Sequence, residues 1–102
     1  MMTLKAAFLF VAPGADPSQH RSVIHTPNVE LITVGVGNYG TALQIVAELT
    51  AQGVTAIELC GGFGIDGVAA VNKAAAGKAV VGVVRFDSHP GLGFKSGDEI
   101  FR

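Results

Sequence analysis

Residues 29–60 read as an apolar run, a capped helix and a second apolar run with no room for anything else, and this unit constrains the fold more than any other feature of the chain. Asn38 is placed to cap a helix in which Ala42, Ile45, Val46 and Leu49 recur at i, i+3, i+4 and i+7, and Gly53 supplies a left-handed stop. The flanking runs, 29–36 and 54–60, are strands. A crossover of that length returns the chain to the same end of a sheet, so the two strands run parallel.

The rest of the chain extends the pattern. Residues 5–12 form a short apolar run stopped by Pro13-Gly14, as expected of a strand buried on both faces. Asp16-Pro17 offers an N-cap with proline in the first helical position, which predicts a short helix over 17–25, broken by Pro27. Val68, Val71 and Ala75 mark the inner face of a further helix ending at Gly77, and 78–86 is a fourth strand. After Asp87, Pro90, Gly91, Gly93 and Gly97 disfavour regular structure, so 87–102 is expected to be an irregular tail that wraps over the domain or reaches a neighbour. The expectation is therefore a single α/β domain over 1–102, a three-layer sandwich around a four-stranded, mostly parallel sheet. A flavodoxin-like strand order of 2-1-3-4 would place helices on both faces and a switch point between the first and third strands. A ferredoxin-like or half-barrel arrangement is the alternative.

With 49% hydrophobic and 15% charged residues, against a usual charged share of about 25%, few polar side chains are left to cover a domain of 102 residues. A homo-oligomer that hides an apolar face is expected. A net charge of −1 with 7 Lys and Arg in total gives no footprint for nucleic acid or an anionic membrane surface. One cysteine allows neither an internal disulfide nor a thiolate zinc cluster, which points to the cytoplasm. Residues 5–15 faintly imitate a secretory signal, although a buried first strand explains them equally well. No run approaches the roughly 20 apolar residues of a bilayer span.

Candidate chemistry gathers in two places, Glu58-Leu-Cys-Gly-Gly-Phe-Gly-Ile-Asp-Gly67 and Arg85-Phe-Asp-Ser-His-Pro90. A strand buried on both faces is normally apolar, so Glu58 and Arg85 stand out. Each lies two residues before Cys60 and Asp87 respectively, and counting from the strand ends predicts that they pair across neighbouring strands. Breaking a buried pair of that kind costs about 3–5 kcal/mol. The pair either fixes structure or an oligomer contact, or steers a ligand or a catalytic carboxylate. Cys60 sits where open α/β sheets bind ligands, with a helix amino end beyond it and His89 as a candidate base; inert packing is the plainer role.

Gly62-Phe-Gly64-Ile-Asp-Gly67 matches G-x-G-x-x-G, and Asp87 follows about 20 residues later. Too little chain remains after it for a two-half dinucleotide fold, which leaves a smaller anion held by the amides of residues 61–64, or a simple tight turn. Asp87 and His89 are too few to hold a metal, and no metal-ligand spacing completes them; Asp87 serves equally well as a turn residue. His20 and His25 are expected to face solvent.

Three segments carry a family resemblance: Lys5-Ala-Ala-Phe-Leu-Phe-Val-Ala-Pro-Gly-Ala-Asp-Pro17, Ala56-Ile-Glu-Leu-Cys-Gly-Gly-Phe-Gly64 and Gly82-Val-Val-Arg-Phe-Asp-Ser-His-Pro-Gly-Leu92. Over nearly its whole length the chain resembles the short, mostly bacterial proteins grouped as domain of unknown function 6506. The resemblance implies a whole single-domain protein. It brings no activity, cofactor or catalytic residue with it.

Two functions follow as expectations. The first is an enzyme or ligand-binding protein with a crevice for a small anion at the carboxyl ends of the strands, in which Glu58, Cys60, Asp87 and His89 are the catalytic candidates and Pro13, Asp16, Gly61, Gly62, Gly64 and Arg85 bind the ligand. The second is a non-catalytic homo-oligomeric interaction domain in which the same residues lock the tail. A nucleotide or cobalamin-type cofactor is suggested by fold analogy alone.

Overall fold

The computed structural model describes residues 3–102, so the first two residues of the expected domain lie outside it. In chain order the elements are β1 (Leu4–Val11), β2 (Arg21–His25), β3 (Val29–Val36), α1 (Tyr39–Ala51), β4 (Ala56–Leu59), α2 (Ile65–Ala75) and β5 (Val80–Val83), followed by 3₁₀ turns at Pro90–Leu92 and Gly97–Glu99. They build one five-stranded sheet of order β2-β3-β1-β4-β5. β1 pairs in parallel with β3 and β4, and β4 with β5; β2 runs antiparallel along β3. The four parallel strands keep the expected relative order, with β2 added at one edge. Their parallel pairing excludes a ferredoxin-like arrangement, whose central strands would be antiparallel.

α1 forms as its sequence dictates. The Asn38 side chain accepts the Thr41 amide at 2.8 Å, and Ala42, Ile45, Val46 and Leu49 are buried. Gly53, at φ +93°, then turns the chain toward β4. In α2 the inner face is Val71 and Ala75, with Val68 packed against the core, and the helix ends through Ala76 and Gly77 at positive φ.

The expected helix over 17–25 is instead one turn and a strand. Asp16 does nucleate a turn, since the Ser18 amide donates to its carboxylate and the Gln19 and His20 amides to its carbonyl oxygen. Beyond it, Val23 and Ile24 are β-branched and disfavour a helix, and the bare edge of β3 offers a ladder to Arg21–His25. Thr26-Pro27-Asn28 close the hairpin, with the Thr26 amide donating to the Val29 carbonyl.

That exchange removes one layer. α1 and α2 pack against each other on a single side of the sheet, where α1 meets β1 and β3 and α2 meets β5. Ala7, Leu9, Val11, Ile32, Val34, Ile57 and Leu59 point to this side and are buried, with Phe63 and Leu49 among the largest fully buried side chains. Each such large apolar group contributes roughly 1.5–3 kcal/mol. The alternate positions, Leu4, Ala6, Phe8 and Phe10 on β1, Leu31 and Thr33 on β3, Ile24 on β2 and Val80 on β5, face away and have no helix above them. The structure is therefore a two-layer α/β sandwich and not the expected three-layer one.

Candidate functional site

At the carboxyl ends of β1 and β4 the chain turns through Gly61-Gly62-Phe63-Gly64 into α2, which is where the crevice was expected. The C-terminal tail fills it. Gly97 lies against the Gly62 carbonyl so closely that a Cβ there would stand 2.8 Å from the Gly62 carbonyl carbon. Phe101 is buried 6.4 Å from the Tyr39 ring, and Tyr39 stacks on Phe63 at 5.6 Å with the rings within 10° of parallel.

The polar centre of this plug is Asp98. Its carboxylate accepts the Tyr39 hydroxyl at 2.9 Å, the Asp66 amide at 3.0 Å and the Gly67 amide at 3.2 Å. The helix α2 begins at Gly64, which has no side chain with which to cap it. Asp98 supplies from the tail the acceptor and the negative charge that a helix amino end favours. Tyr39 completes the link by accepting the Gly64 amide at 2.9 Å. Burial, with Asp98 beside the hydroxyl, pushes the Tyr39 pKa up to about 12. Ser96 and Glu99 form a capping box around the last 3₁₀ turn, and Arg102 forms an ion pair with Asp66.

The residues singled out in the sequence separate into groups. Cys60 is half-buried, and its Sγ accepts the Val11 amide at 3.4 Å and the Gly62 amide at 3.3 Å, so it closes the β1–β4 ladder at its last position. Gly61, Gly62 and Gly64 are buried beneath Phe86, Val11 and the tail residues Ser96 and Asp98 respectively. His89 reaches this group indirectly, through an edge-on contact of its ring with Phe86 at 4.9 Å, while its Nδ1 accepts the Gly91 amide at 2.9 Å.

Arg85 and Asp87 bind each other. The guanidinium Nε donates to Asp87 Oδ1 at 2.8 Å and a second nitrogen donates to Oδ2 at 3.3 Å, both side chains being exposed, and this bond raises the Arg85 pKa. The expected Glu58–Arg85 pair is not formed, because the ladder places Glu58 opposite Gly82, three positions before Arg85, and ends at Val83. Glu58 is exposed on the open face between Phe8 and Gly82. Pro13 is exposed, and the Asp16 carboxylate is taken by the Ser18 amide and hydroxyl, which lower its pKa.

Tyr39, Phe63, Asp98 and Phe101 were not legible as partners in the sequence. The one available signal was Ser96-Gly-Asp-Glu99, whose spacing is that of a capping box.

A family model matches residues 4–99 of the 102. The chain belongs to DUF6506, a family of unknown function. Searches among curated proteins and among solved structures matched nothing. In this DUF6506 chain the match runs through β1, the glycine turn and Asp98, and stops before Phe101 and Arg102. No helix of the described residues is long and apolar enough to cross a membrane.

Proposed function

We propose that this DUF6506 domain is a non-catalytic interaction module that works through the open face of its sheet. One observation carries the reading: two helices cover one side of the sheet, while on the other Leu4, Ile24 and Val80 are exposed and Ala6, Phe8 and Leu31 are half-buried, with no helix above them. Exposed contiguous apolar surface of this kind marks an association site in soluble domains. Of the groups first considered for catalysis, Cys60 closes a ladder, His89 caps a turn and Asp87 binds Arg85, while Glu58 stands exposed on the open face.

A thermal-shift screen with phosphates, carboxylates and divalent metals tests it. The wild-type chain should show no saturable shift. A shift that disappears in Glu58→Gln, Cys60→Ala or His89→Ala would overturn the reading in favour of a ligand-binding site.

A second reading is favoured by the position of Asp98. Its carboxylate sits on the α2 amides, where a small anionic ligand would sit if the tail lifted. On that reading Asp98→Ala, and not the wild type, gains stability from millimolar phosphate or acetate. No gain in the variant would end it.

A further inference from the structure

We infer that the occupant of the open face is a second copy of this chain, packed face to face about a twofold axis that runs along β1, parallel to the strands. The inference rests on the reading of that face as the interaction surface and adds the partner and the geometry.

Two rows of side chains cross the open face, and each is lopsided about β1. The first row, from β2 to β5, is Ile24, Leu31, Ala6, Ala56 and Val80; the second is Ser22, Thr33, Phe8, Glu58 and Gly82. Large apolar groups stand on the β3 side of Ala6 and smaller ones on the β4 side. Hydroxyls stand on one side of Phe8, and on the other stand the only charge in either row and a glycine. A twofold axis along β1 lays the β3 of one copy over the β4 of the other and keeps the rows in register. Leu31 then faces Ala56 of the second copy, Ile24 faces Val80, Thr33 faces Glu58, and Ser22 faces Gly82. Large meets small, and each Glu58 carboxylate receives a hydroxyl donor, while Phe8 meets its own copy on the axis. An axis perpendicular to the strands through the Phe8 row would set Thr33 against Thr33 and Glu58 against Glu58. That arrangement opposes like charge to like charge and leaves Glu58 without its hydroxyl donor, which is destabilising.

The size of the face is adequate. β1 and β3 contribute eight residues each, β2 five, and β4 and β5 four each. At a rise of about 3.3 Å and a strand spacing of about 4.8 Å, the flat footprint is about 460 Å² per copy, or about 900 Å² for the pair. Side-chain relief makes the accessible area larger than this projection, which brings it to the roughly 1,000 Å² that a specific interface clears. Aligned sheets pack about 10 Å apart in this manner within sandwich domains.

Ile24 is 54% exposed and Val80 74% exposed, so both can be changed without touching the core. Light scattering on a sizing column, with far-ultraviolet circular dichroism to confirm folding, should give the wild-type chain twice its 10.4 kDa mass across a concentration series. Ile24→Glu and Val80→Lys should each weaken the dimer at least tenfold. Mixing the two variants should restore it, because position 24 of one faces position 80 of the other. Loss of the dimer in each variant without rescue on mixing overturns the axis. A wild-type monomer at every concentration overturns the second copy; if a hydrophobic dye then binds the wild type and not Ile24→Glu, the open-face reading survives alone. A wild-type dimer indifferent to both substitutions overturns the inference and that reading together.

Discussion

Replacing Asp98 by alanine isolates the contact that joins the tail to the rest of the domain. The change removes the acceptor of the Tyr39 hydroxyl and of the Asp66 and Gly67 amides at once. Loss of an N-terminal helix acceptor costs about 0.5–2 kcal/mol, loss of the charge at the helix end about 0.3–1 kcal/mol, and a part-buried hydroxyl left without its acceptor about 1–3 kcal/mol. These overlap, since one carboxylate serves all three, so the sum is about 2–4 kcal/mol. The Asp66 amide is exposed and water replaces its partner, which places the weight on Tyr39. Asp98→Asn keeps one oxygen for Tyr39 and should cost about half as much. Glu99→Ala, which frees only the exposed Ser96 amide, should cost under about 1 kcal/mol. Urea unfolding followed by circular dichroism measures all three, and for a domain of this size about 2–4 kcal/mol corresponds to a fall in Tm of roughly 10–25 °C. If Asp98→Ala is no more destabilised than Glu99→Ala, the tail is not held by this carboxylate and the account of the closed crevice fails.

Further outcomes follow from the same packing. Gly67→Ala should destabilise the domain despite the roughly 1 kcal/mol that alanine gains over glycine in a helix, because the new Cβ would lie 2.7 Å from Tyr39 Cε1; a rise in Tm would refute this. Tyr39 is the sole tyrosine and there is no tryptophan, so ultraviolet absorbance titrates it alone. Its midpoint should fall near 12 in the folded chain, against about 10 when unfolded. Since the folded state holds this proton more tightly, the stability it contributes, about 1–3 kcal/mol, is whole below pH of about 10 and is lost as pH rises toward 12. Tyr39→Phe should lack that part of the alkaline decline, and a native midpoint near 10 would contradict the burial argument. Arg85→Ala and Asp87→Asn should each change stability by less than about 1 kcal/mol, as expected of an exposed pair; a larger loss on urea unfolding would mean that the pair anchors the tail. Phe101→Ala should cost about 3–5 kcal/mol by the same measurement, since the ring is buried.

The elements that local sequence specifies were legible. Asn38, the apolar spacing through Leu49, and Gly53 defined α1, and the continuous apolar runs of β1, β3 and β4 carried both the strands and their parallel order. Residues 17–25 misled because Asp16-Pro17 starts a helical turn that is real but one turn long, and nothing local says that the edge of β3 stands open beside Val23 and Ile24. The Glu58–Arg85 pairing failed on register, which a count from strand ends does not carry when the ladder stops at Val83.

By itself, then, the sequence determined where glycines turn the chain and, outside residues 17–25, which stretches extend and which coil, all of these being properties of neighbours within a few residues. Tertiary structure decided which face of the sheet goes bare, and that Asp98 and Tyr39, 59 residues apart, close the crevice that the glycine turn opens. The physical reason is range. Periodicity and capping act over one or two turns, whereas a tail carboxylate on a distant helix end depends on the whole path of the chain between them, and that path turned on whether five residues joined a helix or the open edge of β3.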